Sequence, residues 1–150
     1  MLIQDDDHHD TRLQRRIISP LPEGVLLRFQ AINRGKDPSY NYYWQLHEDG
    51  RWFHVWHSGD TTEWQTPFDT PLPDEPTTIF PEPVMHQIRE QLVEAQLMDQ
   101  PRYQQDATVE DGSYYVVTAR QNEQVYEIIY EAVSPPLVAF LEKLIHQYGY

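Results

Sequence analysis

Hydrophobic and polar positions along the chain fall into segments with two different periods. "VLLRFQAI", Val25 to Ile32, is rich in β-branched, leucine and aromatic residues and stops at the turn formers "NRGKDP", which predicts a strand. "YNYYWQLHEDGRWFHVWHSG", Tyr40 to Gly59, then reads as a hairpin, because Asp49-Gly50 is a strong two-residue turn signal. "TTEWQT" adds a short fourth strand. The segment Thr66 to Pro83 carries Pro67, Pro71, Pro73, Pro76, Pro81 and Pro83, each lacking a backbone donor, so neither strand nor helix is expected to run through it.

A helix is expected from Pro83, with Val84, Ile88, Leu92 and Ala95 on one face at four-, four- and three-residue steps and Met85 widening it. It ends before Pro101, since the residue ahead of a proline is pushed out of helical dihedrals. "DGSYYVVTARQNEQVYEIIYE" is a second hairpin turning near Gln121-Asn122, with Tyr126, Ile128 and Tyr130 on one face. Ser134 is placed to cap a terminal helix with Pro135 just inside it, its buried stripe formed by Leu137, Leu141, Leu144 and Tyr148. The predicted order is β-β-β-(β)-α-β-β-α. This is an α+β fold, an antiparallel sheet built from hairpins with two helices packed on one face.

A two-residue turn at Asp49-Gly50 sets the register of the first hairpin, pairing Glu48 with Arg51 and His47 with Trp52. Side chains alternate between faces. Tyr42, Trp44, Leu46, Phe53, Val55 and His57 then share the core face. Tyr43, Gln45, His47, Trp52, His54 and Trp56 share the other. Of these, Tyr43, His47, Trp52, His54 and Trp56 form a candidate interaction patch, since exposed tyrosine and tryptophan suit interfaces. Stacking on a sugar and cover by the proline-rich loop are the competing uses of those rings.

Length and charge narrow the classes. The 150 residues suit a single domain over 25–150, after a charged arm over 1–24 in which Asp5, Asp6, Asp7 and Asp10 precede Arg12, Arg15 and Arg16. A net charge of -13, with Lys36 and Lys143 the only lysines, disfavours nucleic acid and anionic membranes and suits a basic protein partner. With no cysteine, disulfides, thiolate metal sites and cysteine nucleophiles are excluded. The N-terminal stretch has no basic-then-apolar signal pattern, so a cytoplasmic protein is expected.

Candidate chemistry is sparse. There is no glycine-rich phosphate loop, no G-x-S-x-G and no H-E-x-x-H. His47 and His54 on one face could begin a metal site, but His57 falls on the opposite face and no third ligand has strand or helical spacing. His8 and His9 among the arm's aspartates are a second metal candidate, and a solvated arm is the simpler reading of them. Asp106, Glu110 and Asp111 cluster ahead of a strand, and paired carboxylates can do acid–base work, yet Asp111-Gly112 is also an ordinary turn. No metal or cofactor is therefore expected.

Gly35, Pro38, Tyr40, Asp49 and Gly50, then Asp111, Gly112 and Tyr115, then Pro135 and Pro136, trace a spacing of turns and strands over much of the chain. It resembles small bacterial α+β domains near emfourin, a protein inhibitor of thermolysin-like metallopeptidases. The proline-rich segment and the acidic arm depart from that pattern. The resemblance implies a non-catalytic fold that binds proteins and transfers no inhibitory residue. An acidic protein-interaction module, of inhibitor or immunity type, is the functional expectation. The alternative is a small-ligand or metal-binding domain, or an enzyme, using the His47, His54 and Trp56 face.

Overall fold

A computed structural model describes residues 21–32, 41–56, 71–106, 108 and 113–148. These form a mixed α+β fold of one seven-stranded sheet and two α-helices. The elements are β1 (Val25–Ile32), β2 (Tyr42–His47), β3 (Arg51–Trp56), β4 (Thr78–Ile79), α1 (Glu82–Ala95), β5 (Tyr103–Gln105), β6 (Tyr114–Gln121), β7 (Gln124–Glu131) and α2 (Pro136–Tyr148), with a 3-10 turn at Leu97–Asp99. Across the sheet the strands lie in the order β4-β3-β2-β1-β6-β7-β5.

β1 joins the two hairpins, antiparallel to β2 on one side and to β6 on the other. All eight of its residues are buried, so both of its faces are covered. On one face Leu27, Phe29 and Ala31 enter the main core with Trp44, Leu46, Trp52, Val117, Ile128 and Tyr130. Met85, Ile88 and Leu92 of α1 and Leu137, Leu141 and Leu144 of α2 complete the same cluster. On the other face Ile32, Tyr114, Val116 and Ile129 form a smaller cluster against Tyr103. Arg28, Gln30 and Thr118 are buried on that side too, and the Arg28 guanidinium reaches Gln45 Oε1 at 3.4 Å. Burial lowers the Arg28 pKa, opposed by the nearby Tyr43.

The structure corrects four expectations. The sheet is not wholly antiparallel: β5 lies parallel to β7, pairing Tyr103 with Ile129 and Gln105 with Glu131. "YQQ" is too short to show an alternation, so this strand left no periodic trace. A strand does run through the proline-rich segment. β4 occupies the gap between Pro76 and Pro81, where residues keep their N–H groups, and pairs Thr78 with Trp52 and Ile79 with Arg51. The arm ends earlier than charge suggested, because Arg120 donates to the carbonyls of Leu21 and Pro22 at 3.2 and 3.0 Å and Leu21 is buried. Residues 1–20, with His8 and His9, and the expected "TTEWQT" strand lie outside the described residues. Finally, α2 begins at Pro136, one residue later than a Ser134 cap implies.

The second hairpin turns on Asn122 and Glu123, with Gln121 facing Gln124. Both turn residues have positive φ, 54° and 67°, as the mirror-image two-residue turn demands.

Candidate functional site

The first hairpin is built on a three-residue loop, not a two-residue one. Leu46 pairs with Trp52, Gln45 with Phe53, Trp44 with His54, Tyr43 with Val55 and Tyr42 with Trp56. The Gly50 N–H closes a turn onto the His47 carbonyl at 3.0 Å, and Gly50 sits at φ 98°. This is a turn followed by a left-handed residue, the usual three-residue hairpin. Asp49 carboxylate oxygens accept from the Arg51 backbone N–H at 3.2 Å and from Arg51 Nε at 2.9 Å. The Arg51 backbone donor, with the side chain behind it, holds the Asp49 pKa down.

One extra loop residue slides β3 by one position, which sends each of its side chains to the opposite face. Trp52, His54 and Trp56 therefore stand on the core face with Tyr42, Trp44 and Leu46, while Phe53 and Val55 stand with Tyr43, Gln45 and His47. The five residues proposed as one patch are split by the sheet. Tyr43 and His47 are half-buried on one side. Trp52 is fully buried on the other, its ring 5.4 Å from Phe80 and 5.8 Å from Trp44.

His54 stacks on Trp52 at 5.4 Å and meets Trp56 edge-on at the same distance. Its backbone N–H donates to Thr77 Oγ1 at 3.1 Å. Burial among these rings depresses its pKa to about 4, so the imidazole is neutral at pH 7. Its Nε2, and the indole Nε1 atoms of Trp44 and Trp52, are buried without a hydrogen-bond partner among the described residues. His47 packs on Phe53 at 5.2 Å and meets Arg51 Nη2 through Nδ1 at 3.3 Å. Partial burial first, then Arg51, lowers its pKa.

The two histidines thus occupy opposite faces and cannot converge on one ion. Among the described residues no group of three histidine or carboxylate side chains stands close enough to hold a metal. His57, Glu110 and Asp111 lie outside the described residues. Asp106, the remaining member of the acidic cluster, accepts from the Thr108 backbone N–H at 3.0 Å and from its hydroxyl at 2.5 Å. Those bonds, the hydroxyl's first, lower its pKa and occupy it as a turn acceptor.

Hairpin chemistry gave no sign of a different surface, where the 3-10 turn meets β7. A groove of about 430 Å³ there is lined by Met98, Arg102, Val125, Tyr126, Glu127 and Ile128 among others. Met98 is 67% exposed and Val125 45%, and the two stand together at this groove. Gln100 builds one wall: its Nε2 donates to the Ala95 carbonyl at the end of α1, and its Oε1 accepts from Tyr130 Oη, both at 2.6 Å. Gln104 Nε2 adds a third bond at 2.9 Å. Burial pushes the Tyr130 pKa up to about 12, keeping the hydroxyl protonated as the donor. A second groove of about 430 Å³ lies on the far side of Gln100, lined in part by Glu94 and Asp99. The only sequence signal for this surface was Met98, a large apolar residue beyond the helical stripe.

Among the described residues, no helix is long and apolar enough to cross a membrane. No protein-family model matches the chain, and no curated protein matches it either.

Proposed function

We propose that the chain is a non-catalytic, acidic protein-interaction module that binds a basic protein partner, in the manner of an inhibitor or immunity protein. The observation that carries this reading is a groove at which Met98 and Val125 stand exposed, on a chain of net charge -13. Apolar side chains supply contact area, and a surrounding negative field steers a cationic partner into encounter. The sequence's lack of catalytic motifs and the turn-forming role of Asp106 favour binding over chemistry. The resemblance to domains near emfourin points the same way, towards a cytoplasmic inhibitor of a peptidase. In this reading the two helices cover one face of the sheet and leave the β7 side free for a partner.

The test is affinity capture at low salt, followed by association kinetics of the captured protein. A basic partner is expected, with an on-rate that falls steeply as salt rises and an off-rate that rises on Met98→Lys. An association indifferent to salt would sink the reading. Its inhibitor form is checked separately by adding the chain to a thermolysin-like metallopeptidase and following peptide hydrolysis.

A further inference from the structure

A sheet of seven strands has two edges, and at each the outermost strand is shorter than its neighbour, with the most residues left over at the β5 edge. β7 is eight residues long, but β5 pairs only with Ile129, Tyr130 and Glu131. Backbone groups of a strand alternate in direction, and two bonds give the phase here. The Ile129 N–H donates outward to the Arg102 carbonyl at 2.7 Å, and the Glu131 carbonyl accepts outward from Asp106 N–H at 3.1 Å. Odd-numbered residues of β7 therefore face the edge. Two residues further back at each step, Val125 also directs its N–H and carbonyl away from β6.

On the side away from β6, no described strand pairs with β7 at Val125, and no described residue hydrogen-bonds to its outward N–H or carbonyl. The chain turns off at Pro101, so β5 does not extend to cover it. The Met98–Val125 groove lies along this uncovered stretch. Tyr126 and Ile128 point to the helix side of the sheet and Val125 to the other, so the alternate side chains of an added strand meet apolar groups on the helix side and Val125 beside Glu127 on the other.

We propose that this edge of β7 is a strand-addition site, which takes an extended segment of a basic protein with aliphatic residues at alternate positions. The inference rests on the reading of the chain as an acidic interaction module. Main-chain bonds to an open edge supply affinity, and pockets for alternate side chains supply selectivity. The choice of a cationic occupant follows from charge. Glu127 and Arg102 are the charged residues that line the groove and they engage each other at 3.4 Å, so the net charge of -13 sets the sign of the field an occupant meets. Arg120, across from Val125 on β6, turns its guanidinium to the carbonyls of Leu21, Pro22 and Val25. A second copy of the chain, itself carrying -13, is repelled from the same edge.

The probe is a capped peptide of alternating lysine and valine, with a glutamate–valine peptide as its counterpart. At low salt the lysine peptide should bind and slow hydrogen exchange at the Val125 amide. Val125→Pro deletes the outward donor without touching the ladder to β6, and Met98→Lys places a like charge in the groove. Each should weaken binding about tenfold or more, while Ile79→Lys at the opposite edge should not. If Val125→Pro fails to fold, Met98→Lys and exchange in the wild-type chain still decide the matter. Absence of Val125 protection at saturating peptide overturns strand addition, whether or not the peptide binds. Salt-sensitive binding elsewhere would leave the acidic-module reading standing. Equal binding of the glutamate peptide overturns the cationic occupant. Dimerisation of the free chain, lost in Val125→Pro, would replace the proposed partner with a second copy.

Discussion

Protonating His54 costs the folded chain more than the unfolded one. The imidazole lies among Trp52, Trp56 and Trp44, and its folded pKa of about 4 is below the roughly 6.5 of an unfolded histidine. Between those values the unfolded chain takes up a proton that the folded chain refuses. Its contribution to stability is therefore complete above about pH 6.5, is lost as pH falls towards 4, and loses nothing more below. The linkage is at most about 3 kcal/mol, reduced by whatever solvent screens the ring. Urea melts across that window should show the slope, and His54→Leu should flatten it. Trp52 answers a different question. Its complete burial predicts that Trp52→Ala costs about 3–5 kcal/mol of stability, read from the denaturation midpoint. A fully stable Trp52→Ala would show that the ring is not core.

At the scale of elements, both hairpins turn on residues in the left-handed region, with opposite consequences. Gly50 suits its φ of 98°, and a Cβ added there would stand 2.7 Å from the Phe80 carbonyl oxygen. Gly50→Ala combines backbone strain with a clash against main chain, so a loss of roughly 2 kcal/mol or more is expected in thermal or urea melts. The Phe80 N–H donates back to the Gly50 carbonyl at 2.8 Å, so the same change also loosens β4. Glu123 has the reverse problem, holding a φ of 67° with a full side chain. Glu123→Gly should stabilise the β6–β7 turn by about 1 kcal/mol, and a loss of stability would mean its side chain has a structural partner.

For the whole molecule the governing quantity is charge. A net -13 on 150 residues makes the compact state repel itself. Adding sodium chloride from low to physiological levels should raise the melting temperature as that repulsion is screened over about 8 Å. A melting temperature that falls or stays flat would mean local ion pairs outweigh the overall field. The described pairs include exposed ones such as Arg51 with Asp49 and Arg89 with Glu82, and pairs of that kind contribute little.

By itself the sequence determined what depends on neighbours along the chain: β1 over Val25–Ile32, the core stripes of both helices, the Tyr126–Ile128–Tyr130 face, the anionic surface and the lack of catalytic motifs. Each of these follows from a local period or a sum over residues. Which face of β3 is buried depended on one extra loop residue, and Glu48-Asp49-Gly50 and Asp49-Gly50 are both good turns. Only the tertiary structure chose between them. The three-residue loop brings Trp52 onto Phe80 and Trp44, and lines Trp56 up with Tyr42, which buries more ring surface than Phe53 and Val55 offer. β4 and β5 were equally hidden, since two- and three-residue strands exist through the partners they pair with rather than through any pattern of their own. The stretch of β7 at Val125 that β5 does not reach is likewise a relation between strands, set by where β5 stops.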